Sequence, residues 1–175
     1  EAGSACSGSP GSVDAAGAAF QDTEFYLCNA GSSFSENSGN AKIFLFAAAL
    51  VKDSTLGSIY ADIPAGGQAT LQRNTFPSGG VQVDGSSDVY IADCEFQQQG
   101  VTFRAQSTGV VDSSRFDLQG TPAILLSTNG DVDVTNNEIE FQAADQGSAA
   151  IAVEPGPSAS QTPQFTIEGN TLLGN

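Results

Sequence analysis

One six-residue outline recurs along this chain and limits what it can fold into. The segments FQDTEF, VKDSTL, LQRNTF, IADCEF, VDSSRF, VTNNEI and IEGNTL each open on an aliphatic or aromatic residue. Each places a small polar residue three positions later and closes on a large apolar one. The opening positions are Phe20, Val51, Leu71, Ile91, Val111, Val134 and Ile167. The polar position holds Thr23, Ser54, Asn74, Cys94, Ser114, Asn137 and Asn170, and the closing one Phe25, Leu56, Phe76, Phe96, Phe116, Ile139 and Leu172. From Ser54 to Ser114 the spacing is 20 residues three times in succession. A second short pattern follows as Ile43-x-Leu45, Ile59-x-Ala61, Val81-x-Val83, Val101-x-Phe103, Ile124-x-Leu126 and Ile151-x-Val153. Alternation with period two is the mark of half-buried strands, whereas helices would need longer stretches with a 3.6-residue period. Short strands repeating every 20 or so residues cannot bury their apolar faces singly, so they stack as coils of an all-β solenoid.

The outline resembles the coil repeat of right-handed parallel β-helix proteins of the pectate-lyase-like superfamily, in particular the NosD-like and generic β-helix repeat proteins. Their coils read roughly I-x-x-N-x-F followed by G-[IV]-x-[VL]. The resemblance covers about residues 18–172 and implies a single-stranded right-handed parallel β-helix of six to seven coils, a rod of roughly 30 Å. Residues 1–17 read as an N-terminal cap or irregular segment and residues 18–175 as the β-helix, with loop insertions near 26–41 and 154–163. In this register Phe76, Phe96 and Phe116 form an internal aromatic column. Asn74, Cys94, Ser114 and Asn137 form a polar ladder that hydrogen-bonds the backbone at the turn. Cys94 is then a buried structural thiol in an asparagine slot. A nucleophilic thiol would need a neighbouring base, and the chain has no histidine.

The same register puts Asp53, Arg73 and Asp93 in one position of three successive coils, and Glu95, Arg115 and Glu138 in another. Asp84 falls beside Arg104, so that every arginine has an acidic neighbour one coil away. Alternating charges of this kind relieve the repulsion that stacked carboxylates would suffer. The resemblance also implies an alternative. Polysaccharide lyases of the superfamily use acid-bound Ca²⁺ to acidify the substrate and an Arg or Lys as base, and Asp53, Asp93 and Arg73 are the constellation that would match. No cofactor is otherwise expected. The N-T-D, D-D, G-H-G and R-I-K motifs of polygalacturonases do not occur. Asp131 and Asp133 read as a solvated turn at a strand start rather than a cation site. The columns Thr55, Thr75, Glu95, Arg115 and Leu50, Thr70, Tyr90, Val110 are too mixed for an ice-binding face.

Lys and Arg number 5 against 20 Asp and Glu, a formal charge of -15. That charge repels nucleic-acid phosphates and anionic membranes. The longest apolar run, residues 43–51, is about half of the ~20 residues a spanning helix needs, so no transmembrane segment is expected. The absence of Met and the opening on Glu1 suggest a processed form or fragment. A Cys6 to Cys28 disulfide suits an oxidising, extracytoplasmic compartment: secreted, cell-surface, periplasmic or lumenal. Strand alternation sends Ile43 and Leu45 inward and leaves Phe44 and Phe46 outside, with Tyr60 beside Phe44 on the next coil. This aromatic patch is either covered by residues 26–41 or used to hold a partner. The expected function is a non-catalytic structural or binding solenoid, an accessory or assembly-forming subunit of a larger complex or filament. It would contact protein partners or itself through the aromatic face and the solenoid ends, where IEGNTLLGN stops within a coil. The alternative is an acidic-polysaccharide lyase or polysaccharide-binding module.

Overall fold

The 20-residue spacing becomes a parallel register in the computed structural model, which describes residues 6, 12–118, 122–141, 149–157 and 162–174. Successive coils add strands to the three sides of a parallel β-solenoid, and a two-stranded sheet of Ala19–Phe20 and Ser38–Gly39 stands at its start. The first side is an eight-stranded sheet running Asp14–Ala16, Ser32–Ser35, Ala49–Lys52, Gln68–Gln72, Asp88–Ala92, Thr108–Asp112, Val132–Thr135 and Phe165–Glu168. The second is a narrow five-stranded sheet beginning at Thr75–Phe76 and ending at Thr171–Gly174. The third has seven strands, from Glu24–Leu27 and Lys42–Leu45 through Ser58–Ala61 to Ile151–Val153. All of these pairings are parallel, so like residues lie over like and the apolar positions become continuous columns.

The corner between the first and second sheets explains the six-residue outline. One residue per coil has a left-handed backbone, among them Asp53 (φ 52), Arg73 (φ 53), Asp93 (φ 54) and Asn136 (φ 56). A non-glycine residue in this region costs about 1 kcal/mol or more. That cost is offset because each such N–H donates to a carbonyl of the next coil: Asp53 to Gln72, Arg73 to Ala92 and Asn136 to Glu168, all at 3.0 Å. The polar residue that follows turns inward. Ser54 N–H donates to Asn74 Oδ1 at 3.1 Å, and Asn74 Nδ2 donates to the Val51 carbonyl at 2.9 Å. Cys94 occupies this slot at 2 % exposure, its Sγ 3.3 Å from the Ala92 carbonyl, and burial pushes the thiol up to about 11. Two residues on, the rings of Phe76, Phe96 and Phe116 stack at 4.8 and 4.7 Å, all fully buried.

The N-terminal coils depart from the expected alignment. Residues 26–41 are not a loop insertion: they contain the strands Ser32–Ser35 and Ser38–Gly39, and form most of a coil. Phe34 pairs with Val51, and Ala15 with Phe34, so these residues and not Phe20 continue the inward column. Asn37 and Ala18 take the polar position in place of Thr23, with the Ala18 N–H donating to Asn37 Oδ1 at 2.9 Å. The physical reason lies at Gly39, where later coils carry a large apolar side chain. A Cβ there would overlap the Phe20 carbonyl oxygen. The missing volume is filled by a cluster of rings instead: Phe20 to Phe25 at 4.6 Å, and Phe25 to Phe34 at 5.1 Å. The strand Asp14–Ala16 also lies within the stretch expected as a cap; residues 1–5 and 7–11 are outside the described residues. Of the expected insertion at 154–163, residues 154–157 and 162–163 carry no strand, and 158–161 lie outside the described residues.

Candidate functional site

The third sheet presents its outward side chains in columns. Tyr26 pairs with Phe44 and Phe44 with Tyr60, which sets three aromatic residues in one column on successive coils. The Tyr26 and Phe44 rings are stacked at 4.8 Å with planes 8° apart, and Phe44 lies 6.1 Å from Tyr60. Phe46, just beyond the strand Lys42–Leu45, is held by its N–H to the Leu27 carbonyl at 2.9 Å, and its ring is 6.4 Å from that of Tyr26. Phe44, Phe46 and Tyr60 are half-buried, and Tyr26 is 42 % exposed. Residues 26–41 therefore do not cover the patch; they extend it by one ring. Tyr26 was hidden in the sequence because Phe25 had been given to the six-residue outline. The alternation Glu24, Phe25, Tyr26, Leu27, with Phe25 and Leu27 inward, is the signal that finds it.

Carboxylates border the rings. Tyr26 Oη donates to Glu24 Oε2 at 2.9 Å, which together with slight burial and the Glu24 charge raises the phenol above its ordinary range. Asp62 and Asp84 follow the strands of Tyr60 and Gln82, their N–H groups donating to the Leu45 and Ala61 carbonyls at 2.9 and 2.8 Å. Phe46, Asp62 and Asp84 thus stand one above another on successive coils. Burial, and then the charges of Asp84 and Asp62, raise the Tyr60 phenol, while Arg104 opposes the shift.

The second constellation read from sequence is the corner column. Asp53, Arg73 and Asp93 do share one position, and Arg73 grips Asp53 with both ends of its fork: Nε to Oδ1 at 2.6 Å and Nη2 to Oδ2 at 3.0 Å. That hydrogen bond raises the Arg73 guanidinium further, so it holds its protons where a lyase base must release one. Calcium does not fit here either. Asp53 and Asp93 stand two coils apart, about 9 to 10 Å, and the guanidinium between them occupies both oxygens of Asp53. Among the described residues no group of three His, Cys, Asp or Glu side chains converges on a metal-sized site.

The pair has a pH signature. The Arg73 hydrogen bond holds the Asp53 carboxyl below its ordinary value. Because the folded value is depressed, the stability it contributes is fully present above the unfolded value of about 3.9 and is lost as pH falls through the lower folded one. Arg73→Gln is expected to return Asp53 to the ordinary carboxylate range, read by carboxyl-carbon NMR titration; an unchanged midpoint would show that the pair does not hold in solution. Arg115 lies 3.5 Å from Glu138 and 3.2 Å from Glu140. Arg104 stands one coil beyond Asp84, as the register predicts, but the two side chains form no direct ion pair. The Asp84 carboxylate instead accepts from the Gly85 N–H at 2.9 Å and Gln82 Nε2 at 3.2 Å.

With the parallel coils, the left-handed corner and the inward polar ladder established, comparison with known proteins is informative at the level of the family. Residues 48–175 match the family described as right handed beta helix region. The chain belongs to the right-handed β-helix family. No curated protein and no solved structure matches it.

Asp131 is not a free carboxylate: its Oδ1 accepts from the Gln164 N–H at 2.8 Å and ties the next coil, while Asp133 faces outward from the strand between them. Cys6 and Cys28 form a disulfide with Cα atoms 5.4 Å apart, and Cys6 sits at the rim of a depression that Phe46 and Asp62 also line. At the last described coil, Ile167 and Leu172 occupy inward columns yet are 45 and 60 % exposed. Among the described residues no helix is long and apolar enough to cross a membrane.

Proposed function

We propose that this β-helix is an extracytoplasmic, non-catalytic structural or binding solenoid, an accessory or assembly-forming subunit that holds a protein partner. The observation that carries the reading is the column Tyr26, Phe44 and Tyr60 with Phe46 beside it: four aromatic rings on one outward face of an acidic protein. Rings grouped on a surface rimmed by carboxylates mark an interaction face rather than a core defect. The disulfide supports an oxidising compartment. The tie between Arg73 and Asp53 removes from acid–base work the constellation that a polyuronate lyase would use, and the net charge of -15 opposes an acidic glycan. One observation favours the alternative of a polysaccharide-binding module: Tyr60, Gln82 and Thr102 line an open depression of about 470 Å³ along the third sheet.

The test is the native mass of the protein extracted from its source, beside that of the Phe44→Ser variant expressed there. The expected result is a defined complex well above the 17.8 kDa of the chain, lost in the variant while strand circular dichroism of the purified variant is unchanged. A free monomer would overturn the reading. So would cleavage of a uronate polymer by the wild-type protein that Arg73→Ala abolishes with the fold intact.

A further inference from the structure

The chemistry of the aromatic face specifies what can sit on it. Its rings are not surrounded by neutral groups. Glu24 accepts from the Tyr26 hydroxyl, and Asp62 and Asp84 continue the column of Phe46 on the next two coils. Phe46 and Asp62 share the wall of one open depression of about 440 Å³ with Ile63, Pro64, Gly85 and Ser86. An aromatic face attracts a cation through its ring quadrupole, and a carboxylate at its edge completes the match for a guanidinium or ammonium group. Lys42 and Arg104 are the cations of this face, and both stand at its margins: Lys42 in the column of Glu24 and Ser58, and Arg104 one coil beyond Asp84.

We infer that this face docks a lysine- or arginine-bearing segment of a partner protein, its charged heads stacked on Tyr26, Phe44 and Phe46 and paired with Glu24, Asp62 and Asp84. The inference rests on the reading of the aromatic face as an interaction site and adds the class of partner. Charge decides against the other occupants. A second copy of the chain brings another -15 to the contact, and an acidic glycan brings carboxylates to carboxylates. A basic segment gains from the whole field of the protein as it approaches, and from the rings once seated.

The probe is a synthetic peptide alternating arginine and glycine, titrated into the purified full chain at about 0.15 M salt, where fields beyond ~8 Å are screened. Binding is read by calorimetry and by tyrosine fluorescence, which no tryptophan obscures. The expected result is saturable binding that Phe44→Ala and Tyr26→Ala each weaken roughly tenfold, although neither changes the net charge. Asp62→Asn weakens it too, whereas the same charge change in Asp133→Asn, on the first sheet, leaves it unaltered. Absence of binding overturns the inference, as does equal weakening by Asp62→Asn and Asp133→Asn with no effect of Phe44→Ala. Tighter binding of polygalacturonate than of the peptide would also overturn it. The two readings fail separately: a Phe44-dependent native complex with no peptide binding leaves the proposed function standing without this partner class. Peptide binding by a protein that is monomeric in its source does the reverse.

Discussion

Phe96→Ala is expected to lower the free energy of unfolding by about 3–5 kcal/mol, the largest single-residue effect in the core. The Phe96 ring lies between those of Phe76 and Phe116 at 4.8 and 4.7 Å, nearly parallel to both and fully buried. Its removal loses the transfer free energy of the ring and leaves a ring-sized hole in the column. The hole cannot close easily, because the coils on either side are held at fixed rung spacing by parallel pairing of Thr75 with Glu95 and of Glu95 with Arg115. In a solenoid each coil contacts only its neighbours, so the loss also loosens the coupling between the two halves of the stack. Urea denaturation reads the effect as a lower midpoint, with a shallower slope if the halves begin to unfold separately. Phe96→Leu keeps most of the volume and should cost less than half as much. A loss below about 1 kcal/mol for Phe96→Ala would show that the rungs settle into the space.

The middle of the solenoid was legible because each coil there combines three independent signals at one spacing: a branched aliphatic, an inward polar residue and a large apolar residue. From Val51 onward those signals coincide with the observed register, and the aromatic column and polar ladder follow from it. The first coils were illegible for a volumetric reason. Gly39 and Ala18 stand at two of the three signal positions, and the space is filled from elsewhere by Phe20 and Phe25. Coil length also shifts there, with 17 residues from Phe34 to Val51 and 19 from Ala15 to Phe34, so a 20-residue template slides off. The outward face was half legible. Strand alternation places Phe44, Phe46 and Tyr60 outside, but Tyr26 and the bordering Asp62 depend on knowing which coil lies above which. The left-handed corner left no composition to read, since glycine, aspartate, arginine, serine and asparagine all occupy it. What they share is the backbone hydrogen bond to the next coil.

Asn137→Ala is expected to cost about 2–6 kcal/mol, from two buried backbone groups that each lose a hydrogen bond to the amide at about 1–3 kcal/mol. Asn137 is 1 % exposed and joins two coils: its Oδ1 accepts from the Ser114 N–H and its Nδ2 donates to the Val111 carbonyl, both at 2.9 Å. Alanine supplies neither group, and Val134 and Ile139 beside it are both fully buried. Asn137→Ser separates the two contributions. The hydroxyls of Ser54 and Ser114 already serve this position, accepting from the N–H groups of Asn37 and Cys94 at 3.1 Å and donating to the carbonyls of Lys52 and Asp112. Serine at 137 therefore keeps the acceptor for the Ser114 N–H and surrenders the two Nδ2 bonds, to the Val111 carbonyl and to Asn170 Oδ1. Asn170 Oδ1 still accepts from the backbone N–H of residue 137, so serine should lose less than half as much stability. Amide exchange at Ser114 gives the residue-level check, with protection falling in the alanine variant and retained in the serine one. Equal destabilisation by both, with equal loss of Ser114 protection, would mean that asparagine acts by filling volume at the corner rather than by bonding one coil to the next.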